Sequence, residues 1–256
     1  MTHWIRFAHN GTVGIGTLSD DSVSVHQGDM FQSSEATGET LSLGDVRVLT
    51  PTVPGKMLAL WNNSRAMAEK MNNPIPVEPL YIIKANGSYL ATGETIRKPA
   101  SYDGKVVYEG ELGIVIGAVC QAVSESDVEA YIFGYTCIND VTAMEIVKKD
   151  PSFPQWTRSK SFDTFGVFGP AIATSVDPST LSIRTTLDGQ ERQHYSIDDL
   201  FFTPAKIVSA ISYDVTLHPG DVICCGTSVG IGSMKPGCTI DVTIDGIGTL
   251  SNPYVG

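Results

Sequence analysis

The chain has 256 residues, enough to bury a sizeable core in one large domain or in a domain with a small appendage. Its net charge of −11 and the absence of any basic run argue against nucleic acid and anionic membranes as partners. The five cysteines lack metal-ligand spacing, the N-terminus shows no export signal, and the longest uncharged apolar stretch (112–120) is too short to span a bilayer. We therefore expect reduced thiols and a cytoplasmic protein.

Residues 1–50 are predicted to form a small β appendage. The runs WIRFA, TVGIGTL and SVSVHQ are separated by polar turns and are typical of a meander, with Asn10-Gly11 as a hairpin signal. The stretch GTVGIG lacks the helix that must follow in a dinucleotide-binding fingerprint, so it is interpreted as a glycine-rich strand. Proline and glycine then mark a junction, and the main domain is expected to cover residues 51–256.

Short helices are expected at several places in the main domain. One is predicted over residues 64–71, and a second over residues 124–131, where Ser126 and Glu129 have capping-box spacing. Another is expected directly after Asp140. These predictions rest on local pattern alone.

The rest of the main domain is predicted to be rich in strands. TPAKIVSAIS is a helix with Thr203 as N-cap and Pro204 at its first position, whereas PLYIIKA, DVICC, TIDVTI and IGTL are strands. Strands outnumber helices and alternate with them irregularly. This pattern predicts a β-rich α+β fold.

Three acidic residues in two apolar phrases are the most informative chemical feature. Glu109 and Glu111 lie two residues apart in VVYEGELGIVIG, so a strand places both side chains on one face. Asp140 ends a second apolar run, FGYTCIND. Carboxylates in so apolar a setting require compensation, and three of them without Cys or His favour a hard cation such as Mg2+ or Mn2+. The alternative is a solvated strand face that carries two exposed acids.

These phrases also resemble a known family. VVYEGELGIVIG, AYIFGYTCINDVTA, QWTRSKSFDTFGVFGP, LHPGDVICCGTSVGIG and IDGIGTLSN follow one another in the order and spacing of the fumarylacetoacetate hydrolase family. The resemblance extends from about residue 54 to the C-terminus. It implies the mixed β-sandwich roll of that family, preceded in the chain by the small β appendage.

The resemblance also implies roles for individual residues. The family's metal ligands correspond to Glu109, Glu111 and Asp140, and its catalytic lysine corresponds to Lys160. Thr227 matches a family threonine that could donate its hydroxyl to a substrate oxygen.

Three further residues are candidates of the same kind. Lys84, at the end of PLYIIKA, matches a family lysine that could bind a substrate carboxylate, and Arg65 is a further substrate-binding candidate. Glu69 is predicted as a catalytic residue, because family hydrolases activate water with a His–Glu pair and Glu69 matches the Glu.

Two positions depart from the family pattern. The histidine of the water-activating pair is replaced by Ala66 or Met67, depending on the register of the comparison, and a usual arginine after the ligand aspartate is replaced by Met144. The metal ligands are therefore predicted to be intact and the water-activating site to be altered.

A serine-hydrolase site is excluded on sequence grounds. The stretch 226–230 satisfies Gly-x-Ser-x-Gly, but that motif requires a helix after the serine and a histidine later in the chain. GIGSMKPG cannot form that helix, and no histidine follows Ser228. The five histidines are interpreted as solvated or turn residues.

The predicted function is divalent-metal chemistry on a small β-diketo acid or 2-oxo dicarboxylate. The resemblance slightly favours C–C bond hydrolysis in aromatic-compound catabolism over the other reactions of such substrates. The missing histidine favours isomerisation, tautomerisation or decarboxylation through an enolate stabilised by the metal, which needs no activated water. A non-catalytic binding protein with a relic site is the alternative from another class. The expected partner is a small-molecule carboxylate, and the resemblance implies a homodimer.

Overall fold

The computed structural model describes residues 1–256 and is dominated by β-strands. Strands in the first part of the chain are β1 (Thr2–His9), β2 (Thr12–Ser19), β3 (Ser22–Gly28), β4 (Ser34–Ser42) and β5 (Arg47–Val48). Those that follow, up to the first acidic phrase, are β6 (Met57–Trp61), β7 (Leu80–Lys84), β8 (Tyr89–Leu90), β9 (Ile96–Arg97), β10 (Val106–Tyr108) and β11 (Gly110–Ile116).

The remaining strands occupy the second half of the chain. They are β12 (Ile132–Asp140), β13 (Thr142–Ala143), β14 (Gly166–Thr174), β15 (Ser182–Leu187), β16 (Gln190–Ser196), β17 (Val222–Cys224), β18 (Gly232–Ser233), β19 (Thr239–Ile244) and β20 (Gly248–Val255). The α-helices are α1 (Arg65–Met71), α2 (Trp156–Lys160) and α3 (Pro204–Asp214). None of them combines the length and the apolar character that a bilayer span requires.

Three sheets organise these strands. A 12-stranded sheet has the order β4-β3-β2-β1-β14-β12-β11-β17-β6-β7, with β5 and β8 attached to β1 and β14. A five-stranded sheet has the order β16-β15-β19-β20-β9, and a small sheet joins β13, β10 and β18. Most pairs are antiparallel, while β17–β6, β14–β8 and β20–β9 are parallel. The large and five-stranded sheets share one core of 40 buried residues. The predicted β-rich roll is confirmed.

The N-terminal meander has the predicted form. Asn10 and Gly11, with φ of 49° and 79°, form the turn between β1 and β2, and TVGIGTL is a strand. Strand β1 also pairs with β14, with Trp4 opposite Ile172, so the large sheet passes from the first 50 residues into the rest without a break. The domain boundary at residue 50 stays a prediction.

The helix predictions have mixed outcomes. Helix α1 begins after Ser64, whose hydroxyl accepts the Met67 N–H, and α3 begins after Thr203, whose hydroxyl accepts the Lys206 N–H. Both were predicted with these residues as the boundary.

Two other helix predictions are wrong. Residues 124–131 contain only a 3-10 turn over Val128–Tyr131, because the Ser124 hydroxyl bonds to Asp127 at 2.7 Å and closes a local turn instead of a capping box. After Asp140 the chain stays extended, since Ala143 pairs with Val106 of β10. A 3-10 turn, Met144–Ile146, follows, and an α-helix comes only at α2.

Candidate metal centre and active site

The three predicted acids meet where β11 and β12 run side by side. Strand β11 is buried along its whole length between β12 and β17, with Gly110 opposite Asn139. The Asp140 N–H donates to the Glu109 carbonyl at 2.9 Å, which places the end of β12 directly beside the first glutamate. Carboxylate oxygens of Glu109, Glu111 and Asp140 lie within 4.8 Å of one another, and all three residues are buried.

Lys160 reaches this cluster from α2. Its Nζ donates to Glu109 Oε2 at 2.9 Å, Asp140 Oδ2 at 2.5 Å and Thr142 Oγ1 at 2.8 Å, which uses all three of its N–H groups. The Thr142 hydroxyl in turn donates to Glu109 Oε1 at 2.7 Å. Although burial acts to lower it, the neighbouring carboxylates of Asp140 and Glu109 raise the pKa of the Lys160 ammonium above its usual range.

Lys84, at the end of β7, forms the second cationic contact. Its ammonium donates to Asp140 Oδ1, and its side chain is completely buried. Burial alone would raise the pKa of Asp140, but the charges of Lys160 and Lys84 outweigh it and hold that pKa below its usual range. A substrate carboxylate could reach Lys84, as the sequence prediction requires, only if this buried pair opened.

Glu111 is the acid without a lysine partner. Its Oε2 accepts the Gly226 N–H at 2.8 Å, and no ammonium contacts it. Burial, followed by the charge of Asp140, raises the pKa of Glu111 well above its usual range. The cluster therefore holds three carboxylates but only two ammonium groups.

This donor set fits a divalent cation. The ligands are carboxylate oxygens, which hard cations such as Mg2+ and Mn2+ prefer, and the excess acidic charge sits at Glu111. A group whose pKa is raised by burial and by a like charge gains most when a cation replaces its proton. Glu109, Glu111 and Asp140 are the residues that would hold the ion.

The loop after β17 holds Glu111 in place. Gly226, with φ of +92°, turns its N–H toward the carboxylate, and the Thr227 hydroxyl donates to the Gly110 carbonyl at 3.0 Å. Gln193 Nε2 donates to Thr227 Oγ1 at 2.9 Å. The Thr227 hydroxyl is thus already occupied as a donor, so its predicted bond to substrate would have to replace the bond to Gly110.

The residue between the two glutamates can only be small. A Cβ on Gly110 would lie 2.0 Å from Thr185 Oγ1 and 3.2 Å from Gln193 Oε1. Strand β15, which carries Thr185, therefore lies directly against the Glu-Gly-Glu backbone.

The two candidates on α1 do not contact the carboxylates. Glu69 is exposed and forms no ion pair or side-chain hydrogen bond. The Arg65 guanidinium lies 4.9 Å above the Phe201 ring, beside a cavity of about 660 Å3 whose lining includes none of the three acids. Ala66 and Met67 follow Arg65 on the same helix, and no histidine in the protein bonds to the cluster.

Sequence reasoning missed several residues of the site. Thr142 lies two residues after Asp140 on the same side of an extended segment, a period-two signal that could have identified it. Asn139 Oδ1 accepts the Glu109 N–H at 3.0 Å, and its position beside Asp140 was visible in the motif. Gln193 carries no local signal, because it comes from a strand of the other sheet.

Comparison with known proteins agrees with this architecture. The profile of the fumarylacetoacetate (FAA) hydrolase C-terminal family matches residues 56–255, and a profile described as Rv2993c-like, N-terminal, matches residues 2–51. A protein of Archaeoglobus fulgidus is 39% identical over 250 residues, covering 98% of this chain and 95% of its own.

Several similar proteins carry functional names, of which two serve as examples. The oxaloacetate tautomerase YisK of Bacillus subtilis is 32% identical over 225 residues, covering 82% of this chain and 74% of its own. A crystal structure described as 2-hydroxyhepta-2,4-diene-1,7-dioate isomerase from Mycobacterium marinum superposes with a TM-score of 0.91 at 35% identity, covering 100% of this chain and 98% of that one.

Proposed function

This chain belongs to the fumarylacetoacetate hydrolase family, and from that premise we propose that it is a divalent-metal-dependent tautomerase of a small 2-oxo dicarboxylate, with oxaloacetate as the first substrate to test. The observation that carries the proposal is the composition of the buried cluster. It combines three carboxylates suited to Mg2+ or Mn2+ with two lysines and no histidine, and one of the lysines, Lys160, bonds to two of the acids.

Keto–enol conversion of such a substrate requires only proton movement. In the direction from enol to ketone, C3 gains a proton and the oxygen on C2 loses one, so no water is consumed. A divalent ion, when bound, supplies Lewis-acid stabilisation of the charge on the 2-oxo and carboxylate oxygens.

Lys160 is the proton carrier in this proposal. It shares Glu109 and Asp140 with the cation, so loading the site weakens the charge compensation that raises its pKa, and proton transfer at Nζ becomes easier. Lys84 keeps Asp140 ionised from the buried side. Thr142 orients both Glu109 and Lys160 through its hydroxyl.

Hydrolysis of a C–C bond is the second candidate, favoured by the family's name. It needs a base to activate water, and Glu69, the residue predicted for that role, is exposed and bonds to none of the site residues. Tautomerisation or isomerisation therefore ranks first and acylpyruvate hydrolysis second.

The test is a substrate panel on metal-stripped protein reloaded with Mg2+ or Mn2+. Loss of enol absorbance reports oxaloacetate tautomerisation, while NMR of products follows an acylpyruvate and 2-hydroxyhepta-2,4-diene-1,7-dioate. We expect tautomerisation well above the rate of buffer with the same metal, loss of that rate in Glu111→Ala, and retention in the matched surface variant Glu78→Ala. Faster acylpyruvate cleavage than tautomerisation would establish the hydrolase, and metal binding without turnover would indicate a relic site.

A further inference from the structure

A fourth carboxylate, Asp199, is linked to the metal centre through the loop after β17 and bonds only to neutral groups. Asp199 Oδ2 accepts the Ser64 hydroxyl at 2.5 Å and the Ser228 hydroxyl at 2.7 Å. The two serine oxygens are 3.0 Å apart, and both serines are completely or almost completely buried. We call these three residues the serine–aspartate clamp.

On one side the clamp holds the loop that contacts the metal ligands. Ser228 follows Gly226 by two residues, and the Gly226 N–H is the only hydrogen-bond donor to the Glu111 carboxylate. Gln193 fixes the same loop from the opposite side, since its Nε2 donates to the Ser228 carbonyl at 3.0 Å. The Ser228 hydroxyl is thus the link between this loop and Asp199.

On its other side the clamp holds the start of helix α1. Asp199 Oδ1 accepts the Ala66 N–H at 3.0 Å, and Ser64 Oγ accepts the Met67 N–H at 3.0 Å. The neighbouring Asn63 Nδ2 donates to the Cys225 carbonyl at 2.8 Å. Helix α1 and the loop at residues 226–230 are therefore joined through one carboxylate.

We infer that Asp199 is a positioning residue of the metal centre, which keeps the Gly226 N–H against Glu111 and sets α1 beside the same loop. The inference rests on the metal centre of the proposed function. Only a carboxylate suits the position, because Asp199 accepts three hydrogen bonds with two oxygens and donates none. An amide offers one acceptor oxygen. Its NH2 group would face either the Ala66 N–H, from which it cannot accept, or the two serine hydroxyls, one of which would then lose its acceptor.

The test compares two neighbouring charge-neutral substitutions. Asp199→Asn breaks the clamp, whereas Asp198→Asn removes the same charge from an exposed side chain that makes no hydrogen bond. Calorimetric titration of metal-stripped protein with Mn2+ should show about 10-fold weaker binding in Asp199→Asn, the loss typical of groups that orient metal ligands. Asp198→Asn should bind like the wild type.

Ser228→Ala is a second test in case Asp199→Asn does not fold. It removes the hydrogen bond between the loop and Asp199 but leaves the bonds of Asp199 to the start of α1. It should weaken Mn2+ binding about threefold or more. This is less than the roughly 10-fold or larger loss typical when a direct partner of a metal ligand is removed, because Ser228 acts only through the loop at Gly226. A lower Tm with Mn2+ affinity within twofold of the wild type in either folded variant would make the clamp purely structural and overturn the inference.

Because the test measures Mn2+ affinity and not turnover, it can fail or succeed independently of the proposed reaction. If the wild type binds Mn2+ but turns over none of the panel, the reaction assignment fails, and the affinities still decide the role of Asp199. If the wild type binds no divalent ion at all, both the metal centre and the role of Asp199 are overturned.

Discussion

Asp140 belongs to the acidic cluster, Asp199 is linked to it through the loop at residues 226–230, and the two carboxylates have opposite kinds of bonding partner. Asp140 is completely buried, and its two oxygens contact the ammonium groups of Lys84 and Lys160. Asp199 is half-buried, and its oxygens accept bonds from two hydroxyls and one backbone N–H.

The difference separates a binding centre from its support. Around Asp140, charge is balanced against charge, and Glu111 remains as an acid that no lysine compensates. Around Asp199, neutral donors fill the carboxylate's acceptor positions and join two chain segments. A buried excess of negative charge suits a cation, whereas a carboxylate that accepts three bonds from neutral donors suits positioning.

The largest expected effect comes from removing the uncompensated acid. Glu111→Ala deletes a ligand together with the acceptor of the Gly226 N–H, so Mn2+ binding should fall below detection in a calorimetric titration. Glu78→Ala, at an exposed position, should bind normally. If Glu111→Ala binds Mn2+ as tightly as the wild type, Glu111 is not a metal ligand. The contrast between the surroundings of Asp140 and Asp199 would then have no bearing on metal binding.

The next largest effect concerns Lys160. Lys160→Met keeps the apolar stem but removes the charge that contacts Glu109 and Asp140. Loss of a charge-assisted contact is worth about 2–4 kcal/mol, so turnover should fall roughly 30- to 1,000-fold. Metal should remain bound, and the exposed Lys149→Met should behave as the wild type. Near-normal turnover would reduce Lys160 to a charge-balancing residue.

Gly110→Ala tests how tightly the second sheet lies against the metal-binding strand. The new Cβ would meet Thr185 Oγ1, and such overpacking costs about 1–3 kcal/mol, a Tm decrease of roughly 2–4 °C per kcal/mol. Gly44→Ala, whose Cβ would meet nothing closer than 3.7 Å, is the matched control. Because Thr185 Oγ1 has no hydrogen-bond partner, adding Thr185→Ala should restore most of the lost stability.

The raised pKa of Glu111 gives the metal-free protein a characteristic dependence on pH. Above the ordinary glutamate pKa of about 4.3 the unfolded chain ionises, while the folded protein keeps its proton, which burial and Asp140 favour. Stability should therefore fall as pH rises toward the folded pKa, by up to about 1.4 kcal/mol per pH unit.

Urea midpoints of metal-free wild type and Glu111→Gln, measured from about pH 5 to pH 8, isolate this contribution. The stability of Glu111→Gln should therefore fall less steeply with rising pH than the stability of the wild type. Mn2+ binding to the wild type should also release a proton, which titrations in buffers of different ionisation enthalpy would detect. If the urea midpoints of both proteins change equally with pH, groups other than Glu111 cause the pH dependence.

The smallest effect is a gain of function. Family hydrolases pair a histidine with the glutamate that corresponds to Glu69. Ala66→His or Met67→His, depending on the register of the comparison, would restore that histidine. Acylpyruvate hydrolysis should rise by a few-fold, since one base contributes only when it is well oriented. Oxaloacetate tautomerisation should stay unchanged. A native enzyme that already hydrolyses acylpyruvates rapidly and ignores oxaloacetate would contradict the argument from the missing histidine.

Local sequence determined the members of the acidic cluster and several element boundaries. The two-residue spacing of Glu109 and Glu111, and Asp140 at the end of an apolar run, predict one acidic cluster because strand periodicity is a property of the local chain. The cap of α3, the start of α1 and the turn at Asn10-Gly11 were predicted for the same reason, since each depends on only a few neighbouring residues.

Tertiary structure decided what surrounds the ligands. Lys84 is 56 residues from Asp140 in the chain, and Asp199 is 135 residues from Ser64, so no local pattern relates them. The segment after Asp140 became a strand because β10 was available to pair with it, which overrode its helical pattern. Charge compensation and positioning depend on contacts between distant elements, and these contacts exist only once the sheets have packed.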